Sequence, residues 1–162
     1  MEYILAPKQQ GSCIFCGVAD ASEDELASRL VVARTDHAFV MLNRYPFASG
    51  HLLVVPHRHA EGLEQLPPAE CDALFRLVRV STTRLARALR AEALNVGLNL
   101  GAAAGAGIAE HLHAHVVPRW AGDTNFMPVL ADVRVVPQAL EATRAHLARF
   151  FADLDAEVGG GS

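Results

Sequence analysis

The hydrophobic pattern of the chain changes period several times. Residues 30–34 and 38–42 read as two short strands joined by a turn at TDH, and residues 50–56 (GHLLVVP) as a third strand with an apolar run. From Pro67 and Pro68 the spacing lengthens. Leu74, Leu77, Val78, Ser81, Leu85, Ala88 and Leu89 fall on one face of a helix of about six turns, with an arginine-rich outer face. Residues 95–101 (NVGLNLG) alternate again as a fourth strand, and EHLHAHVVPRW (110–120) as a fifth. A last helix is predicted from near Pro137, carrying Leu140, Leu147, Phe150, Phe151 and Leu154.

Strands dominate the middle without a regular strand–helix alternation. The pattern therefore predicts an α+β fold, a mostly antiparallel sheet with helices on one side. The loop GAAAGAG (101–107) is too short for a parallel crossover, so the fourth and fifth strands should be antiparallel neighbours.

At 162 residues, with half of them hydrophobic and a fifth charged, the chain suits one globular domain that buries roughly 70% of its unfolded surface. The net charge of −4 is spread without acidic or basic blocks, which argues against nucleic acid as a partner. No apolar run approaches the roughly 20 residues that span a membrane, and MEYILAPKQQ lacks the basic and apolar regions of a secretion signal. The expectation is a cytoplasmic protein without a membrane. Three cysteines are an odd count, which disfavours a disulfide framework; Cys71 sits in the helical pattern as core, and Cys13 and Cys16 form a C-x-x-C. The terminal GGGS (159–162) resembles a flexible linker and is set apart from the fold.

His111, His113 and His115 recur at intervals of two, which on a strand puts three imidazoles on one face. Such a row could ligate a metal or carry nucleophilic and acid–base chemistry. The neighbouring loop favours the second. Three glycines and little side-chain volume let backbone N–H groups close around an anion, although no Lys-Ser/Thr completes a Walker sequence. An anion beside neutral imidazoles points to phosphate as the reacting group.

HLHAHVV resembles the His-φ-His-φ-His-φ-φ signature of the histidine-triad (HIT) superfamily, φ being apolar. FVMLNRYPFASGHLLVVPHRH is similar to the family's nucleotide-pocket hairpin, CIFC to the N-terminal cysteine pair of many members, and RWAGDTNFMPV to the diadenosine tetraphosphate hydrolase and phosphorylase (Fhit-like) branch. The resemblance covers roughly residues 13 to 130, within a single domain over 1–158. It implies a five-stranded antiparallel sheet with two helices, paired in a homodimer as a continuous ten-stranded sheet.

It also implies site residues. His113 would attack the α-phosphorus of a nucleotide to form a covalent nucleotidyl-histidine. An imidazole mostly neutral at pH 7 can do so without a separate base. His115 would meet phosphate or leaving-group oxygens, and His51 would buttress the row. Backbone N–H groups of Gly105, Ala106 and Gly107 would stabilise the non-bridging oxygens. Asn43 matches the ribose-binding position, against a plain turn asparagine. Asn99 either faces the pocket or simply ends its strand. Zinc-containing members take their ligands from positions matching Cys13, Cys16, His59 and His111, with His57 as the alternative donor. The competing state is a metal-free thiol pair. Trp120 could stack on a base or fill an interface, and Arg119 is a candidate rim cation.

The chain departs from the family just before the triad. AGIAEH offers no side-chain hydroxyl where many members carry a glutamine and a Ser/Thr, which leaves the acceptor open between water and inorganic phosphate. The expected enzyme is a nucleotidyl hydrolase or transferase acting on a dinucleoside polyphosphate such as diadenosine tetraphosphate. The alternatives are a phosphorylase, a nucleoside phosphoramidase, a nucleotide-binding regulator with little turnover, and a purely structural zinc protein.

Overall fold

A computed structural model describes residues 13–123 and 140–158. Five strands form one sheet: β1 (Val31–Arg34), β2 (Ala38–Leu42), β3 (Leu52–Pro56), β4 (Ala93–Leu98) and β5 (Ala114–Arg119), in spatial order β1-β2-β3-β5-β4. Every neighbouring pair is antiparallel. The helices are α1 (Glu23–Ser28), α2 (Pro68–Leu89), α3 (Leu140–Ala148) and α4 (Asp155–Val158). An α+β fold with a long helix and a C-terminal helix is thus present, as the hydrophobic pattern predicts.

Side-chain alternation along the strands splits the core into two clusters. Val32, Val40, Leu42, Leu52, Val54, Leu112, Ala114 and Val116 point to one face, where Leu74, Leu77, Leu85 and Leu147 of α2 and α3 cover them. Val31, Phe39, Leu53 and Val55 point to the other, against Phe15, Val18, Ala21 and Leu26. The helices are therefore not confined to one side. Pattern reading did not anticipate α1, whose six residues are too few to show a period; a capping box between Ser22 and Glu25 starts it.

The long helix begins at Pro68, whose ring presets φ for the first turn, and ends where Arg90 turns left-handed at φ 51°. Its outer face is less purely arginine than expected. Arg84 is turned inward, 4% exposed, and binds the C-terminal segment. Two strand boundaries also move. Gly50 takes φ +84°, and a Cβ there would run into Leu89, so the chain turns at 50–51 and β3 starts at Leu52. The fourth strand starts two residues earlier than expected, at Ala93, because Glu92 N–H already bonds to Arg119 C=O.

Candidate active site

The histidine row sits on the face of the sheet that carries Phe15. His115 lies within β5, but His111 and His113 precede it. They keep the alternation all the same: Leu112 and Ala114 point into the opposite cluster. The segment before β5 is held by Leu112 N–H to Ala60 C=O, 2.6 Å, rather than by the ladder.

Hydrogen-bond partners assign each ring's proton. His113 Nδ1 lies 2.8 Å from the carbonyl of His111, which can only accept. Nδ1 therefore carries the proton and Nε2 the lone pair. His51 Nδ1 accepts from Phe47 N–H at 3.2 Å and from Asn43 Nδ2 at 3.3 Å, so the His51 proton is on Nε2. That Nε2–H donates to His115 Nδ1 at 3.0 Å. The last proton is thereby forced onto His115 Nε2, a buried atom with no partner among the described residues. The result is one imidazole with a free lone pair beside another with a free N–H, their centroids 4.9 Å apart.

Burial keeps the rings neutral. It lowers His51 to about 3 and His115 to about 4, with the charges of the other histidines adding to the shift. Burial also lowers His113, partly opposed by its bond to the His111 carbonyl.

The other predicted positions distribute as follows. Asn43 is half-buried; besides its bond to His51, its Oδ1 accepts Tyr45 N–H at 3.0 Å, so it is a turn residue and a neighbour of the histidines at once. Asn99 follows β4, two residues beyond Gly97, the cross-strand partner of His115. Gly105, at φ +82°, closes a 3-10 turn over Ala102–Ala104 in an exposed loop, with Ala106 and Gly107 after it. Arg119 is engaged elsewhere, in a two-point pair with Asp123 and a bond to Asn95. Trp120 Nε1–H donates to Arg90 C=O. Beyond Asp123 the RWAGDTNFMPV segment, like the start of the last helix near Pro137 and the tail at 159–162, lies outside the described residues.

Cys13, Cys16, His59 and His111 bring one ligand atom each to within 4.8 Å of one another. His111 Nε2–H donates to Pro56 C=O at 2.9 Å, which leaves the Nδ1 lone pair facing Cys13 Sγ at 3.2 Å and Cys16 Sγ at 3.9 Å. Cys16 Sγ is 3.4 Å from His59 Nδ1. A tetrahedral zinc with usual Zn–S and Zn–N lengths separates sulfur from nitrogen by about 3.5 Å. Two thiols and two imidazoles at these spacings fit zinc. Burial and the neighbouring Cys13 raise the Cys16 thiol, opposed by the Arg29 guanidinium. His57, the alternative donor, instead bonds Thr35 C=O and stacks on Phe39.

Three contributors to this arrangement carry no signal in the pattern of polar residues. The carbonyls of Pro56 and His111 and the N–H of Phe47 are backbone groups. Phe15 is different, since its place inside CIFC could have singled it out; its ring touches both His111 and His113.

A parallel-free five-stranded sheet with this row of histidines defines a histidine-triad protein. The HIT domain family model matches residues 25–122, and the chain belongs to that family. Among curated relatives, the "AP-4-A phosphorylase" of Mycobacterium tuberculosis is 42% identical over 138 residues, 85% of this chain and 69% of that one. The "Bis(5'-nucleosyl)-tetraphosphatase [asymmetrical]" of Schizosaccharomyces pombe is 31% identical over 121 residues, 75% of this chain and 63% of that one. Among solved structures, a Zn-bound histidine triad family protein from Mycobacterium smegmatis superposes with a TM-score of 0.69 at 28% identity, covering 90% of this chain and 96% of the other.

Proposed function

We propose that this chain is a nucleotidyl transferase that cleaves a dinucleoside polyphosphate, diadenosine tetraphosphate first among them, at the α-phosphorus, with inorganic phosphate as the acceptor. The observation that carries the reading is the fixed tautomer pair: a bare Nε2 on His113 next to a His115 Nε2–H, neither with a partner among the described residues. The His113 lone pair attacks the α-phosphorus, and the P–O bond to the polyphosphate breaks, its electron pair leaving with ATP. An oxygen of inorganic phosphate then attacks the nucleotidyl-histidine. The P–N bond breaks, ADP forms and His113 recovers its lone pair.

His115 serves this leaving group by hydrogen bonding alone. A terminal phosphate oxygen with a second pKa near 6 departs as an anion and needs no full proton. An amine leaving group would need one, and a neutral His115 held near 4 is a poor source. That favours a polyphosphate over a phosphoramidate. His51 orients His115. Asn43, Asn99 and the N–H groups of 105–107 bind ribose and phosphate oxygens. Among acceptors, phosphate is favoured by the name of the 42% identical relative; water is the acceptor implied by the name of the 31% identical one.

Cys13, Cys16, His59 and His111 would hold zinc, which would supply a structural tie between the N-terminal turn and the sheet. We further propose a cytoplasmic homodimer paired through β4.

Product analysis with diadenosine tetraphosphate tests the reading, with and without inorganic phosphate. ATP plus ADP, only when phosphate is present, is the expected result, with His113→Ala slower by at least about a thousandfold. ATP plus AMP would replace phosphate by water as acceptor. No cleavage, or equal cleavage by His113→Ala, would overturn the mechanism.

A further inference from the structure

Phe15 stands between the cysteine turn and the histidine row. It is 1% exposed, and its ring centroid is 5.3 Å from that of His111 and 5.3 Å from that of His113, the first contact edge-on at 81° and the second tilted at 54°. Both are within the range where aromatic rings hold each other's orientation. The backbone beneath it is fixed at several points. Cys16 N–H bonds Cys13 C=O, and Phe15 N–H reaches Cys13 Sγ at 3.4 Å. Arg29 Nη2 donates to the carbonyls of Ile14 and Cys16 at 2.6 and 2.8 Å. The turn that presents the two thiols of the candidate zinc site therefore also aims this ring.

His113 needs such a support. Its bond to the His111 carbonyl ties down Nδ1 alone, and a ring held at one atom can still swing about that tether. His115 packs against it from the β5 side. Phe15 fills the side toward His111. A shift of the cysteine turn would loosen Phe15, and the lone pair of His113 would lose its aim.

We propose that Phe15 is a positioning residue for His113, transmitting the state of the Cys13–Cys16 turn to the ring that carries the attacking lone pair. The proposal rests on His113 being the nucleophile. A misdirected lone pair slows bond formation without weakening substrate binding, so the effect belongs in kcat.

The test compares Phe15→Leu, which keeps most of the volume but removes the ring edge, with Val18→Ala, which perturbs the same buried cluster at a residue outside the CIFC turn. Phe15→Met replaces Phe15→Leu if the latter fails to fold. In 15N-histidine spectra of the free protein, wild type should show a single Nδ1–H tautomer for His113, and Phe15→Leu a mixture. Its zinc content should equal that of wild type, its kcat should fall about tenfold or more, and its KM should stay within about twofold. Chelating the metal from wild type should reproduce the mixed tautomer, and should add little in Phe15→Leu. An unchanged tautomer in Phe15→Leu would overturn the proposal, and so would a Val18→Ala that reproduces the mixture. The spectra need no substrate. A wild type that keeps the single tautomer but leaves diadenosine tetraphosphate intact would therefore sink the proposed reaction and not the positioning.

Discussion

His51 and His115 are coupled through one proton. With His51 held to about 3 and His115 to about 4, both stay neutral in the folded protein through mildly acidic pH, while in the unfolded chain each titrates near 6.5. Between those values the unfolded chain binds more protons, so stability rises with pH there. It is fully present above about 6.5 and is lost as pH falls toward 4. Chemical denaturation at pH 7 and pH 5 should show wild type less stable at pH 5. His51→Asn should flatten that dependence; an equally steep curve would remove His51 from the cause. At the same scale, the single N–H of His115, without a partner among the described residues, predicts a leaving-group preference. Diadenosine tetraphosphate should turn over at least about tenfold faster than adenosine 5'-phosphoramidate at pH 7. The reverse order would mean that His115 delivers a whole proton. Of the residues behind these predictions, His115 was legible in the sequence through strict spacing by two, which survives even where the ladder stops short of His111 and His113, and His51 only through the family resemblance. Their tautomers were not legible. Those depend on the carbonyl of His111 and the N–H of Phe47, groups that every residue owns and no pattern marks.

Among the elements, α2 shows what periodicity captures and what it omits. Leu74, Leu77, Val78, Ser81 and Leu85 are buried as their spacing predicts. Arg84 lies in the same arc and is buried with them, and a charge on an apolar face reads as an outer position until its partners are known. Those partners come from about 70 residues away. Arg84 Nη1 bonds the carbonyl of Phe150 at 2.8 Å and Asp153 Oδ1 at 2.9 Å, and Nη2 bonds the Asp153 carbonyl and Glu157. The carboxylates of Asp153 and Glu157 are largely exposed, so their ion pairs are screened and weak. The carbonyl bonds and the buried stem hold the C-terminal segment to α2. Arg84→Ala should cost about 2 kcal/mol, roughly 5 °C in Tm by calorimetry, with kcat unchanged because the residue lies on the face away from the histidines. A Tm within a degree of wild type would show the clamp to be ornamental. The element boundaries missed at β3 and β4 have similar local causes, a left-handed Gly50 and a bond from Glu92 to Arg119.

For the whole molecule, the two edges of the sheet are treated differently. β1 is four residues long, its register shifts between Val31 and Ala33, and the carbonyl of Val31 is taken by Arg144 Nε at 2.7 Å. Short, irregular, side-chain-capped edges do not template further pairing. β4 is six residues long and pairs on one side with β5. Val96 on it is 48% exposed, and Leu100 just beyond it 51%. Apolar side chains on a regular outer strand suit a second copy of the same strand, related by a two-fold axis, so that each unpaired N–H meets its symmetry mate's carbonyl. No helix among the described residues is long and apolar enough to cross a membrane. Light scattering behind size exclusion should therefore give twice the 17.4 kDa of one chain. Val96→Asp would set two carboxylates against each other across the axis and shift the protein to monomer, while costing the single chain little because the side chain is exposed. A wild type that elutes as a monomer at micromolar concentration, or a Val96→Asp that remains dimeric, would remove β4 as the pairing edge.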